Sequence, residues 1–448
     1  MEFDLEKYLE AIETMSDTAE PDMLRSAVAD LHPADIAIII QSLDRDLRDA
    51  LFYSLDEEMS AQVLPELDES VRGELIEELS TQSIAEVAEA MPLDDAADLL
   101  GELTDEQTAE VLEQMEDTAS EEVKELLQFP EDTAGSIMNP ELVAVEEHMT
   151  ASDTVVHLRS IGKNDFAFYI YVVDDQRKLL GVVPLRALVT VDPNTKLRDI
   201  AAIDVISVPV DADQEEIAGM FKRYGLPAMP VVDKEGKLLG RITVDDVLEV
   251  AEDEATEDAY KLGGTSDEEL ASTSVVRVAG LRLPWLLICL CGTMLSMLVI
   301  WMFQGTLGEM LAVSLFIPVI TAMGGNSGLQ ATTVTVRSLA TGHIHPGRIL
   351  EVVAREVGIG LLLGCIVGLL VAAVASFLDP VLGLAVGCSM FCGISAAVTL
   401  GVLVPITLKK CNIDPAIASG PFITTMNDVL GLLIYFTLAT SLIHYFGN

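Results

Sequence analysis

The sequence predicts a multidomain chain: an α-helical superhelical repeat domain, a tandem α/β pair, an acidic connecting helix and a five-helix α transmembrane domain. Three observations carry this. Four consecutive 24-residue segments share one pattern between His32 and Leu127. A strand–turn–strand–helix pattern then occurs twice, offset by 59 residues. Beyond residue 276 the charges almost vanish, and five apolar stretches follow one another.

The net charge of −46 is unevenly spread. Residues 1–276 hold 66 Asp and Glu against 19 Lys and Arg, a net of −47, whereas residues 277–448 carry a net of +1. So acidic a first half argues against nucleic acid or an anionic membrane surface as partner, and suits cations. The N-terminal stretch MEFDLEKYLEAIE is acidic and amphipathic, unlike a signal peptide. All six cysteines lie in the apolar half, so no disulfide framework is expected in the acidic half. Cys388 and Cys392 share a helix face; small packing residues explain them better than a soft metal does.

Residues 1–31 read as an amphipathic helix and a connector broken at Pro21. The four repeats start at His32, Asp56, Ser80 and Thr104, and each ends in Leu after two short amphipathic patterns. Helix pairs of fixed period stack into a solenoid because none buries its apolar face alone. Asp94, Asp95 and Asp98 cluster in the third repeat, as a divalent-ion site or as solvated surface. This domain is taken as 1–128.

Residues 129–139 connect to the α/β pair, with modules at 129–195 and 196–250. Val172-Val173-Asp174 matches Val231-Val232-Asp233, and Leu179-Leu180-Gly181 matches Leu238-Leu239-Gly240. Helical stretches precede the hairpins near 154–161 and 214–224. The pair resembles the CBS domain pair, a regulatory module that often binds adenine nucleotides such as ATP. Gly240, Thr243 and Asp246 fit its signature, in which hydroxyl and carboxylate hold a ribose. The first copy departs, with Pro184 and Ala187 at the corresponding positions after Gly181 and Arg186 between them. At most one nucleotide site, using Thr243, Asp246 and Arg186, is implied.

From Asp245 to Asp258 an acid-rich stretch keeps a helical apolar stripe through Val247, Leu248, Val250, Ala251 and Ala255. Such a helix is either simply solvated or a switch. If its face packs against other acids, a divalent cation bridges them, and its loss lets them separate. The connecting segment is taken as 251–275 and the transmembrane domain as 276–448.

Five spans are expected at about 283–303, 311–341, 349–377, 381–408 and 416–446, each long enough to cross a bilayer. Arg277 and Arg282, then Arg337, Arg348 and Arg355, then Lys409 and Lys410 mark one side. The positive-inside rule therefore places the N-terminus in the cytoplasm and the C-terminus outside, in a multi-pass plasma-membrane protein. The second span carries Asn326, Gln330, Thr333 and Arg337 on one stripe, and Gly324, Gly325 and Gly328 for close approach. That stripe reads as a pore lining or as interhelical hydrogen bonding. His343 and His345 flank Ile344 in a cytosolic loop, a weak metal signal.

The last span holds one carboxylate, Asp428, roughly 20 Å along the helix from Asp414. A carboxylate at that depth costs about 2.5–3.5 kcal/mol or more, so it needs a cation, a polar partner or water. Pro421, Thr424, Thr425, Gly431 and Tyr435 lie on its side at helical spacing. Hydroxyl, amide and carboxylate oxygen form a hard-ligand set, and Mg²⁺ is commonly held by one or two carboxylates with water retained. Manganese and cobalt stay open on ligand type.

The domain order, together with GGNSG and Gln330, ATTVTVRSLATG, Lys410 to Asp414-Pro415-Ala416, and NDVLGLLIYF, resembles the MgtE family of magnesium channels and transporters. That resemblance implies a homodimer in the lipid bilayer with a pore between subunits. It implies that Asp428 selects the ion, with Asp414 at the pore entrance and Asn326 and Thr425 nearby. It further implies a plug helix with acids at Asp246, Glu249, Glu254, Glu257 and Asp258, closed when cytosolic Mg²⁺ bridges it to Asp94, Asp95 and Asp98. Gly225 stands where family members can carry an acid. The expected function is Mg²⁺ uptake down the membrane potential, gated by cytosolic Mg²⁺. Alternatives are divalent-cation efflux, Na⁺-coupled or not, and a membrane-anchored sensor without transport. No nucleophile–base pair suggests an enzyme.

Overall fold

The computed structural model describes residues 4–15, 21–161, 169–266, 268–271, 274–309, 311–344, 348–418 and 420–446. The chain forms two compact units, Met1–Glu252 and Asp253–Asn448.

In the first unit every 24-residue repeat is a helix pair. The pairs are Pro33–Ser42 with Arg45–Ser54, Glu57–Val63 with Glu69–Glu78, Thr81–Ala90 with Leu93–Gly101, and Asp105–Gln114 with Asp117–Leu126. The first residue of each repeat is an N-cap: His32, Asp56, Ser80 and Thr104 each accept a backbone N–H of the helix they start. A short polar side chain there satisfies one of the donors a helix leaves open. Equivalent helices of neighbouring repeats stack on one another. Ile36, Ile40, Leu51, Leu75 and Leu100 are fully buried between them. Arg45–Glu78 and Arg72–Glu102 tie one repeat to the next.

Among the described residues each of the two modules forms a three-stranded sheet. In the first, Ala144–Glu146 runs parallel to Tyr169–Val173, which pairs antiparallel with Leu179–Pro184. In the second, Val208–Pro209, Ala228–Val232 and Leu238–Thr243 repeat that order. The 59-residue offset extends to detail. Both hairpins shift register after the Val172↔Gly181 and Val231↔Gly240 pairs. Both turns hang on one aspartate, Asp174 or Asp233, accepting two backbone N–H groups. The turns also bond each other, Leu179 N–H to the Gly236 carbonyl at 3.1 Å and Leu238 N–H to the Arg177 carbonyl at 3.0 Å. The second module shares one apolar core with the repeats, while the first has its own.

A single helix, Val244–Gly263, follows the second hairpin. The module's last helix and the connecting helix are therefore continuous, with no break near residue 250.

Among the described residues the second unit has five helices long and apolar enough to cross a membrane: Val275–Met302, Leu311–Ala340 (opening with a 3₁₀ turn), Ile349–Ser376, Pro380–Lys410 and Gly420–Phe446. Leu286, Leu295, Leu362, Leu369 and Leu370 stay exposed on their outer sides, as a lipid-facing surface requires. Gly360, Gly364 and Gly368 of the third span meet the fourth; a Cβ on Gly364 or Gly368 would lie 2.8 Å from the Phe391 or Gly387 carbonyl oxygen. Small residues at this spacing let two backbones close up where no hydrophobic force drives association. All six cysteines are free thiols.

Candidate cation sites

The acidic cluster of the first unit is built from two helix starts. Asp94 and Asp95 occupy the first turn of Leu93–Gly101, with Asp98 one turn on. Asp245 and Asp246 occupy the first turn of Val244–Gly263, with Glu249 following. Asp94 is 8 % exposed, Asp95 and Asp246 are half-buried, and Asp98 and Glu249 reach solvent.

Crowding shows in the protonation of these groups. Burial, then the charges of Asp95 and Asp246, push Asp94 up to about 7. Burial, then Asp246, Asp98 and Glu249, push Asp95 up to about 7. Asp98 also rises to about 7, from burial and from Asp94 and Glu249; being the most exposed of the three, it has the readiest access to water. Burial raises Asp246 too, against the pull of its bonds from Thr243. Arg72 opposes them, close enough to Asp98 and Glu249 to act on both, and Arg241 opposes Asp246.

Asn139, in the connector after the repeats, donates its amide N–H to Asp94 at 2.9 Å. The connector is fixed in turn by backbone bonds between Asn139 and Arg241 at 2.8 and 2.9 Å. Sequence reasoning passed over Asn139, a lone polar residue at the end of a loop.

Thr243 and Asp246, the residues of the nucleotide reading, bind each other. The Thr243 hydroxyl and backbone N–H donate to one Asp246 oxygen at 2.6 and 3.0 Å, capping the long helix. Arg186 lies exposed on the short helix Leu185–Thr190 of the other module. Gly225 is the left-handed C-cap of Gln214–Tyr224, with φ +63°. An acid there would be strained, which explains the glycine.

Among the described residues no three Asp, Glu, His or Cys side chains converge tightly enough to enclose a bare ion.

The acids of the connecting helix from Asp253 onward belong to the second unit. Glu254, Glu257 and Asp258 are half-buried. Glu257 pairs with Lys261 one turn on. Burial and the Asp414 charge raise Asp258, while Arg337 and Lys261 draw it back. Asp414 caps the turn before the last span, accepting the Ala416 N–H at 2.8 Å.

In the spans, Asn326, Gln330, Thr333 and Arg337 are all exposed, as their shared stripe requires. The glycines turn the other way. Gly325 meets the Thr424 methyl, and Gly328 receives Asn427. The Thr425 methyl sits against Gly292 of the first span. Asp428 is half-buried. Tyr435, expected beside it, is fully buried and donates to the Val313 carbonyl at 2.8 Å, so it belongs to the packing. A buried hydroxyl takes the nearest backbone acceptor, which helical spacing alone does not reveal. Asn427, 2 % exposed, has no hydrogen-bond partner for either amide atom among the described residues. Its place beside Asp428 was the available signal. Ser338 and Thr341 carbonyl and hydroxyl bonds hold His343; His345 lies outside the described residues.

Comparison with known proteins identifies three family models along the chain. Residues 31–132 match the MgtE intracellular N domain, 134–193 and 197–253 match CBS domains, and 317–438 match MgtE, divalent cation transporter. The magnesium transporter MgtE of Bacillus subtilis is 35 % identical over 322 residues, 71 % of each chain. That of Thermus thermophilus is 37 % identical over 326 residues, 71 % of this chain and 72 % of the relative. Among solved structures, the soluble part of a magnesium transporter is 31 % identical with a TM-score of 0.51, covering 56 % of this chain and all of that one. The cytosolic domain of the Mg²⁺ channel MgtE in complex with ATP is 32 % identical with a TM-score of 0.51, covering 54 % and 99 %.

Proposed function

The chain belongs to the MgtE family of magnesium transporters, multi-pass membrane proteins and not enzymes, and from that premise we propose that it conducts Mg²⁺ into the cell and is closed by cytosolic Mg²⁺. The observation that carries this reading is Asp428, a half-buried carboxylate well inside an apolar span. A hydrated dication beside it offsets the cost of placing that charge in the membrane. Asn326, Thr425 and Asp414 complete the ion path, in a homodimer whose two Asp428 carboxylates share one ion. The N-terminus is cytoplasmic and the C-terminus outside. An inside-negative potential then favours entry by about 4.6 kcal/mol per 100 mV for a dication, so no nucleotide hydrolysis is required.

The gate is the acidic cluster. With no divalent ion, Asp94, Asp95 and Asp98 repel Asp246 and Glu249, and Glu254, Glu257 and Asp258 add like charge farther along the helix. Hydrated Mg²⁺ between the carboxylates removes that repulsion and favours the closed arrangement. One nucleotide site in the module pair is part of the proposal, although Thr243 and Asp246 are committed to each other here and must exchange partners to hold a ribose.

Purified protein in liposomes, with Mg²⁺ varied on the side facing the soluble domains, tests this reading. The parent should pass Mg²⁺ at low Mg²⁺ on that side and stop when it rises. Asp428→Ala should abolish flux while cross-linking still gives dimers. Parent-level flux through Asp428→Ala would falsify the assignment, and flux dependent on Na⁺ would favour efflux.

A further inference from the structure

We infer that Lys261 is a positioning residue for this transport: its ammonium occupies Asp414 as a tethered cation and latches the end of the connecting helix onto the mouth of the last span. The Lys261 Nζ donates to Asp414 Oδ2 at 2.8 Å, a contact between residues 153 apart in sequence. The other Asp414 oxygen is held by the Ala416 N–H at 2.8 Å, so the carboxylate is fixed in position. Lys261 also pairs with Glu257, and Asp258 feels both Lys261 and Asp414.

The backbone is shaped for this contact. The helix ends with Gly264 N–H bonded to the Lys261 carbonyl at 3.0 Å and Thr265 N–H to the Tyr260 carbonyl at 3.1 Å. Gly264 has φ +79°, and a Cβ there would run into the Pro421 ring. A Cβ on Gly420 would lie 2.8 Å from the Leu262 carbonyl oxygen. Two glycines thus let the helix end and the start of the last span meet backbone to backbone.

The chemistry follows from charge. Lys261 carries one positive charge on a flexible stem, and an arriving dication carries two. While the ammonium sits on Asp414, that acid cannot serve the ion at the mouth; when the helix leaves, Asp414 is freed at the same moment. Burial lowers the proton affinity of Lys261, but its bonds to Asp414 and Glu257 outweigh this and keep it charged. This inference rests on the channel reading above.

The test uses full-length Lys261→Met, which keeps most of the stem and removes the charge, with Lys261→Arg, Asp414→Asn and the Lys261→Met/Asp414→Asn double variant. In detergent with Mg²⁺ at a concentration that closes the parent, hydrogen–deuterium exchange of residues 253–263 should quicken roughly fivefold or more in Lys261→Met and in Asp414→Asn, no further in the double variant, and little in Lys261→Arg. In liposomes, Lys261→Met should raise the half-inhibiting Mg²⁺ concentration roughly fivefold or more. Unchanged exchange in Lys261→Met, fully multiplicative effects in the double variant, or an unmoved inhibition curve each overturn the latch. A parent that carries no Mg²⁺ overturns the channel reading instead and leaves the exchange measurement to decide the latch.

Discussion

Asn139 donates to Asp94 at 2.9 Å in a buried position, joining the connector to the third repeat. It is the side-chain donor supplied to the most buried member of the acidic cluster. Asn139→Ala should lower the unfolding midpoint in Mg²⁺-free buffer, since an unsatisfied buried group costs about 1–3 kcal/mol. At this size that is a fall of several degrees, roughly 2–4 °C per kcal/mol. Scanning fluorimetry of the purified protein checks it, and Mg²⁺ should restore part of the loss.

The cluster also sets a pH dependence. Asp94 and Asp95 stand at about 7 when folded, against 3.8 as ordinary carboxyls. The folded state therefore holds more protons between these values, and stability falls as pH rises from about 4 to about 7, then levels off. In Mg²⁺-free buffer the cytosolic unit should melt higher at pH 5.5 than at pH 8. Saturating Mg²⁺ should narrow that gap and release protons when added at pH 6.5. Equal melting at both pH values without Mg²⁺ would show that the acids are not crowded in solution.

Asn427 yields a prediction in which stability and activity part company. Its amide is buried with no partner among the described residues, against Gly328. Asn427→Leu, which keeps the branch point and the number of side-chain atoms, should leave the melting temperature in detergent unchanged or raise it by a few degrees, because the orphaned amide is gone. If the amide serves the water around a passing ion, flux should fall tenfold or more. Parent-level flux would mark Asn427 as packing alone.

The third and fourth spans should tolerate no bulk at their contact. Gly364→Leu sets a side chain against the Phe391 backbone, where even a Cβ would stand 2.8 Å from the carbonyl oxygen. Overpacking costs about 1–3 kcal/mol or more. The variant should lose monodispersity in size-exclusion chromatography, whereas Gly358→Leu, with nothing near its Cβ, should behave as the parent.

Patterns repeated in the chain were the easiest to read. A 24-residue period gave the helix pairs, because each pair has to stack on the next. The 59-residue offset gave both hairpins down to their turn aspartates, because the same backbone shape needs the same acceptor. Apolar length gave the spans. What escaped were single partnerships across long separations, such as Asn139 with Asp94, Lys261 with Asp414 and Tyr435 with Val313. Each depends on which of several nearby polar groups lies within 3 Å, and no period encodes that. The acids of the connecting helix looked like one set in sequence, yet Asp246 and Glu249 pack with the repeats whereas Glu257 and Asp258 lie near Lys261 and Asp414.

The glycine ridge of the third span has a mechanical consequence. With carbonyl oxygens of the fourth span filling the hollows at Gly364 and Gly368, the two helices cannot slide past each other without collision. They form a fixed strut. Whatever widening admits an ion must then come from the other spans, among them the helices that bear Asn326 and Asp428, and labels on the strut should report constant separation through a full cycle of opening and closing.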